Sequence, residues 1–243
     1  MHASKLLLRP ALVAGLVFAL AAPAFAGVFS VTPVRIFMTP RDRAVAVTLV
    51  NEGDSEVVLQ ADINLWTQNA QGADSLVLTD DMILSPPIIK LAPRARQVVR
   101  LALLKPADAS RQLTYRMIIR EVPEALAPQN NTMEVPIALA LNMPVFITPP
   151  VAKRELVCDA ARPDAQTVQA VCANTGTAYA QIREIQLRRG EQVLARFEGG
   201  NYVLPGARKP IALKTTEAVP SGDAMLHVVF DDFKTQAFTV KLP

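Results

Sequence analysis

The sequence predicts an all-β protein made of two immunoglobulin-like β-sandwich domains. Short stretches of alternating apolar and polar residues recur along the chain, and turns rich in Pro, Gly, Asn and Asp interrupt them. The stretch from Ala44 to Val50, followed by the turn 51–54, is typical. No segment has the spacing of an amphipathic helix. The 243 residues are enough for two domains of about 100 residues, the usual size of an immunoglobulin-like sandwich.

The N-terminus has the features of a cleaved secretory signal. Lys5 and Arg9 provide a basic start, residues 11–22 are apolar, and residues 24–26 match a small-x-small cleavage site. The apolar run is roughly a dozen residues, whereas a membrane-spanning helix needs about 20. We therefore predict that residues 1–26 are removed and that the mature protein is exported to the periplasm.

Charge and composition predict neither nucleic-acid binding nor catalysis. Loss of Lys5 and Arg9 with the signal lowers the formal net charge from +3 to +1, which is too small to attract nucleic acid or an anionic membrane. His227, the one histidine left after cleavage, lies in an apolar stretch without a recognisable serine or cysteine partner. We predict no cofactor and no metal. An exported enzyme that uses only carboxylates remains an alternative, although Asp231 and Asp232 fit exposed turn charges better.

Two consecutive prolines divide the chain. Pro149 and Pro150 stop strand pairing and stiffen the connection, so we place an N-terminal domain at 27–148 and a C-terminal domain at 149–243. No repeat between the two halves is evident. Further strands are predicted in both halves, at 57–66, 97–104, 113–120, 135–147, 183–188, 192–197, 224–230 and 236–242.

The two cysteines predict a disulfide. Cys158 and Cys172 lie close in sequence in a protein that is predicted to reach an oxidising compartment. A metal pair or a redox site is the alternative, but the spacing is not that of a redox motif and two cysteines supply only two ligands.

Residues 135–147 form an unusual strand. Pro136 and Pro144 are both even-numbered, so their backbone nitrogens lie on the same side of the strand. Because proline cannot donate to a β-ladder, both missing donors belong on an open edge. An ordinary core strand is the alternative, since alternation alone is typical of core strands as well. The odd-numbered side chains are large and apolar throughout: Val135, Ile137, Leu139, Leu141, Met143, Val145 and Ile147.

A long apolar edge strand is an aggregation hazard unless it is covered or used. It is used in β-augmentation, where the edge backbone binds a partner strand and alternate side chains enter the partner's groove. Ala138, Ala140 and Asn142 would then present backbone groups. Val135, Ile137, Leu139, Leu141 and Met143 would fill the groove of the partner.

Several motifs in fixed order resemble the periplasmic chaperones of the chaperone-usher pilus pathway over nearly the whole mature chain. These motifs are most similar to those of the archaic branch of the family, which includes spore-coat-type pili. The resemblance implies an L-shaped pair of domains that lends its edge strand to pilus subunits, delivers them to an outer-membrane usher and releases them by strand exchange. The matching stretches are 31–36 (VTPVRI), 51–54 (NEGD), 65–68 (LWTQ), 84–87 (LSPP), Pro93 with Gln97 and Arg100, 115–123 (YRMIIREVP) and 137–139 (IAL).

The resemblance also implies an anchor for the C-terminal carboxylate of the subunit. Relatives place one basic residue on the first strand, which Arg35 matches, and another near the end of the lent strand, where residues 142–146 contain none. An ordinary ion pair is the alternative for Arg35. Arg116 and Arg120 are the candidates for the second cation, and we select Arg116.

Other classes remain open at this point. A pilin would be a single incomplete sandwich, whereas an exported immunoglobulin-like adhesion or scaffolding module would share the fold. Weak self-association without a client is expected, because the apolar edge must be covered. Trp66, the one tryptophan of the chain, is predicted to fill a core.

Overall fold

The computed structural model describes residues 29–123, 138–164, 167–215 and 217–243. The predicted signal at 1–26 and three residues of the predicted lent strand, Val135, Pro136 and Ile137, lie outside the described residues. Over the described ranges the chain forms seventeen β-strands and no helix, so the all-β prediction is confirmed.

The first half forms a sandwich of two sheets, here called the first sandwich. One sheet has the strand order β1-β3-β8-β6, and the other has the order β2-β10-β9-β4-β5 with β7 paired to β4. Its strands are β1 (Phe29–Thr32), β2 (Ile36–Met38), β3 (Ala44–Asn51), β4 (Val57–Gln68), β5 (Asp74–Leu78), β6 (Met82–Ser85), β7 (Ile88–Leu91), β8 (Arg96–Leu103), β9 (Leu113–Glu121) and β10 (Ala140–Ile147).

The second half forms a smaller sandwich, the second sandwich. Its sheets have the orders β11-β12-β15 and β14-β13-β16-β17. The strands are β11 (Leu156–Ala161), β12 (Val168–Asn174), β13 (Ala180–Arg189), β14 (Gln192–Val203), β15 (Arg208–Leu213), β16 (Gly222–Phe230) and β17 (Thr235–Leu242).

Alternation of side chains builds a separate core in each sandwich. In β3 the inward residues Val47 and Leu49 are fully buried, while their sequence neighbours are exposed or half-buried, as a period of two requires. The first core gathers apolar residues from both sheets of the first sandwich, and the second core does the same in the second sandwich. Each half therefore buries its own apolar layer.

A buried asparagine closes an equivalent turn in each sandwich. The Asn51 side chain donates to the carbonyl groups of Ser55 and Leu91 at 2.7 and 3.0 Å, and its oxygen accepts the Gly53 N–H at 2.9 Å. Asn174 donates to two carbonyl groups at 2.8 Å and accepts the Gly176 N–H at 3.0 Å. The sequence signal is only Asn-x-Gly, and for this reason the correspondence between the halves escaped the sequence comparison.

The predicted disulfide is present. Cys158 and Cys172 face each other as register partners on β11 and β12, with their Cα atoms 4.1 Å apart, and both side chains are buried in the second core. The bond therefore links two adjacent strands of the three-stranded sheet.

Candidate functional site

Strand β10 has a free edge over most of its length. It pairs with β9 from Ala140 to Ile147, but on its other side β2 pairs only with Val145–Ile147. In the part of the chain that the structure describes, no strand lies beside Ala140–Pro144 on that side. The N-terminal part of β10 is thus open to a partner strand.

The direction of the β10 backbone follows from one hydrogen bond. The Leu139 carbonyl accepts the Glu121 N–H at 2.9 Å, so odd-numbered residues direct their polar groups toward β9. Because backbone groups alternate along an antiparallel ladder, Ala140 and Asn142 direct their N–H and C=O groups to the open side. The backbone nitrogen of Pro144 also faces that side, so the ladder with β9 does not need the N–H group that proline lacks. The predicted edge position of Pro144 is consistent with this geometry.

The apolar face of β10 changes character along the strand. Leu139 is 40% exposed, Leu141 is half-buried against the first core, and Met143 is only 4% exposed. Beyond Met143 the same face, with Val145, lies entirely within the core. Of the predicted groove-filling residues, Met143 is thus the one that the first core contains in the free protein. The apolar face points between the two sheets, so residues near the centre of the sandwich are covered by its other strands and only those near the rim stay accessible.

Arg35 lies just before β2 and reaches the second sandwich. Its Nη1 atom donates to Gln181 Oε1 at 2.8 Å and to Asp231 Oδ2 at 3.1 Å, and the side chain is 41% exposed. Asp231 also accepts the Tyr179 hydroxyl at 3.1 Å. The side chain of Asp231 is only 16% exposed, so the prediction of an exposed turn charge is wrong for this residue. The ion pair places the Asp231 carboxylate in the cleft between the two sandwiches.

Arg116 faces the same cleft from the middle of β9. It is the register partner of Pro144, and its guanidinium carbon lies 3.7 Å from the centre of the Trp66 ring and 5.3 Å from that of Tyr202. This is a cation–π arrangement. Burial lowers the pKa of Arg116, while Tyr202 and Asp74 oppose that effect. Stacking therefore holds a partly desolvated cation at the end of the open edge.

The two predicted anchor residues meet at Tyr202. Burial raises the pKa of Tyr202, and the neighbouring positive charges of Arg35 and Arg116 act against that rise. One ring from the second sandwich therefore stands beside both guanidinium groups. Arg120, the other candidate for the second cation, is instead paired with Asp62.

An aromatic cluster joins the two sandwiches next to these cations. Trp66 is buried, but it packs with Phe146 and Leu204 outside both sandwich cores, so its predicted core role is refined to an interface role. Tyr179 stacks on Phe146 with the ring centres 4.1 Å apart, and Tyr202 meets Trp66 edge-on at 5.2 Å. The even-numbered face of β10 is thus covered near its end by the second sandwich.

Sequence reasoning missed several cleft residues. Arg154 lies over the Phe230 ring at 3.8 Å and pairs with Asp232 at 3.3 Å. Gln68 and Gln112 both bind backbone groups of the second sandwich. The one available signal for Gln68 was its place in the Trp66-Thr67-Gln68 motif, two positions from the tryptophan on the same strand face.

Within the described ranges, no three His, Cys, Asp or Glu side chains come together as a metal site would require. None of the described segments is a helix long and apolar enough to cross a bilayer.

The fold and the site define a class of protein: two immunoglobulin-like sandwiches with an apolar edge strand that ends beside a cationic cleft. The family model for pili and flagellar-assembly chaperones, PapD N-terminal domain, matches residues 28–153, which is more than half of the chain. The chain therefore belongs to this family, as its motifs predict. A search of curated protein sequences finds no match. Family membership does not favour the alternative of an adhesion or scaffolding module.

Solved structures share the fold. A chain of the CsuC–CsuE chaperone–tip adhesion subunit pre-assembly complex, from the archaic chaperone-usher Csu pili of Acinetobacter baumannii, matches with a TM-score of 0.66 and 18% identity over 89% of this chain and 100% of that one. The YadV chaperone matches with a TM-score of 0.63 and 13% identity over 89% and 100% of the two chains. The CupB2 chaperone of Pseudomonas aeruginosa matches with a TM-score of 0.55 and 18% identity over 88% and 100%. At these identities the likeness is one of fold.

Proposed function

We propose that this protein is a periplasmic chaperone that lends the open edge of β10 to pilus subunits and delivers them to an outer-membrane usher. One observation carries the proposal: the backbone of Ala140 and Asn142 faces an unoccupied side of the sheet next to the exposed Leu139. A strand added there gains main-chain hydrogen bonds, and the apolar face supplies side chains for its groove. The proposal includes no catalytic step and no cofactor.

The proposed groove-filling residues run from Val135 to Met143, and Met143 lies in the first core of the free protein. We also propose the domain division at 148/149, because the last strand of the first sandwich ends at Ile147 and the first strand of the second begins at Leu156. Without a subunit, the apolar edge favours weak self-association.

Arg35 and Arg116 are proposed to hold the C-terminal carboxylate of the subunit. Arg116 lies level with Pro144, so a strand whose terminus is held there would run beside Asn142 and Ala140, two and four residues back along β10. Guanidinium groups suit this task because they donate two parallel hydrogen bonds to one carboxylate. The carboxylate would share Arg35 with Asp231 or displace it.

Co-expression tests the function directly. Expressed in the periplasm with the pilus subunit encoded beside its gene, the protein is expected to yield a stable one-to-one complex, which size-exclusion chromatography with light scattering would detect. Subunit expressed alone should be degraded or aggregate, because its groove stays open. Accumulation of folded subunit without this protein would contradict the proposal.

Replacing either anchor residue is expected to weaken the complex. Arg35→Ala or Arg116→Ala removes a charge-assisted interaction of about 1.5–3 kcal/mol, equivalent to a loss of about 10- to 150-fold in subunit affinity. Titration calorimetry would measure this loss. Arg94→Ala is the matched control, since Arg94 also forms a surface ion pair, with Asp54 at 2.8 Å, but near the opposite end of β4 from the cleft. Unchanged affinity in both anchor variants would leave these arginines as internal interface contacts only.

A further inference from the structure

Gln68, the last residue of β4, uses its side-chain carboxamide to bind backbone groups at the end of β14. Its Nε2 atom donates to the Tyr202 carbonyl at 3.0 Å, and its Oε1 atom accepts the Leu204 N–H at 2.8 Å. The remaining Nε2 hydrogen goes to Asp74 Oδ1 at 2.8 Å. Both hydrogens and the oxygen of the carboxamide are thus used, and two of the three bonds cross between the sandwiches.

The same carboxylate oxygen connects Gln68 to the aromatic cluster. Asp74 Oδ1 also accepts the Trp66 Nε1–H at 2.9 Å, so Trp66 and Gln68 are fixed to one acceptor. Trp66 meets the Tyr202 ring edge-on, while Gln68 holds the Tyr202 backbone. Tyr202 is therefore held at both its main chain and its ring by residues of the first sandwich.

The turn after β4 is also seated on the second sandwich. Gly72 has a φ of 75°, and a Cβ atom added there would lie 2.7 Å from the Cβ of Lys209, too close for any real side chain. Lys209 belongs to β15. The β4–β5 hairpin thus touches the second sandwich at its tip as well as at Gln68, and this double contact limits sliding of Tyr202 relative to β4.

We propose that Gln68 is a positioning residue for the carboxylate anchor, a role that rests on the proposed function above. The centre of the Tyr202 ring lies 5.3 Å from the Arg116 guanidinium carbon, and the charge of Arg35 is close enough to act on the same phenol, so the position of Tyr202 sets the space between the two cations. Because Gln68 fixes the Tyr202 backbone relative to β4, the spacing of the two anchor arginines depends on how the second sandwich is seated on the first. The second sandwich therefore takes part in client recognition although the lent strand belongs to the first.

The test compares two forms of one peptide. The probe is a synthetic copy of the last strand of the co-purifying subunit, made with a free C-terminal carboxylate and with a C-terminal carboxamide. Wild-type protein is expected to bind the acid at least tenfold more tightly than the amide. Gln68→Glu, which is nearly isosteric but cannot donate to Tyr202 and repels Asp74, is expected to bring this ratio close to one while amide binding stays within about twofold.

Controls separate positioning from loss of stability. Gln112→Glu is the matched variant: Gln112 is buried and also joins the sandwiches, accepting the Tyr179 N–H at 2.9 Å, but it does not bind Tyr202. It should lower the melting temperature yet keep the acid-to-amide ratio. If Gln68→Glu does not fold, Gln68→Met keeps the length of the side chain without its hydrogen bonds and should show the same loss of ratio.

The outcomes distinguish the two proposals. A wild-type preference for the acid that Gln68 variants retain would overturn the positioning role and leave the anchor intact. A parallel loss of acid and amide binding would also overturn it, since that pattern reflects stability alone. A wild-type protein that does not distinguish acid from amide would overturn the anchor itself, and the positioning role with it.

Discussion

A protein carrying Ile137→Asp and Leu139→Asp is expected to form no complex with a pilus subunit while remaining folded. Two carboxylates in the lent segment would have to enter an apolar groove without partners, and burial of an unpaired charge costs several kcal/mol for each. Leu139 is 40% exposed in the free protein, so the charge there disturbs little of the first core. Co-purification from the periplasm would measure the loss.

The control lies at the far edge of the same sheet. Leu78→Asp changes an equally apolar residue of β5 that is 71% exposed, and it should leave the complex intact. Thermal unfolding should show all three proteins melting within a few degrees of one another. A subunit complex that survives both substitutions at 137 and 139 would refute strand lending.

Removing the disulfide is expected to destabilise the second sandwich selectively. Cys158→Ala with Cys172→Ala opens a cross-link between residues 14 apart in sequence, which in the chain-entropy model contributes about 3 kcal/mol. For a domain of this size that corresponds to a fall in melting temperature on the order of 10–20 °C. Differential scanning calorimetry should show the transition of the second sandwich move while that of the first stays in place.

Reductant provides the matched experiment. Dithiothreitol should lower the transition of the wild-type protein toward that of the double variant and should not affect the variant itself. Equal melting of the wild-type and variant proteins under oxidising conditions would show that the cross-link contributes no stability.

Strand positions were largely predictable, but their ends were not. The predicted strand 113–120 is observed as Leu113–Glu121, whereas the strand predicted at 192–197 continues to Val203. The sequence there contains Gly199 and Gly200, which favour a turn, yet the register of β13 against β14 shifts at this point and pairing resumes beyond it. A β-bulge accommodates the extra residues, and no local pattern distinguishes it from a strand end.

In the candidate site, too, one feature was predictable from the sequence and another was not. Proline chemistry alone indicated the open edge, because a residue without an N–H cannot serve an inner ladder wherever it lies in the fold. The partner of Arg35 could not be predicted in this way. Asp231 lies 196 residues further along the chain, and adjacent aspartates in a turn look the same in sequence whether or not an ion pair draws one of them inward.

By itself, the sequence determined the all-β class, the disulfide, the family and the edge strand, since each depends on residue types at short range or on fixed motifs. Only the tertiary structure decided how far the lent face remains accessible, so that Leu139 is exposed and Met143 is not. It also decided that Trp66 and Arg116 meet Tyr202 between the sandwiches. Periodicity assigns a side chain to a face of its strand, but what covers that face is set by the packing of segments far apart in the chain.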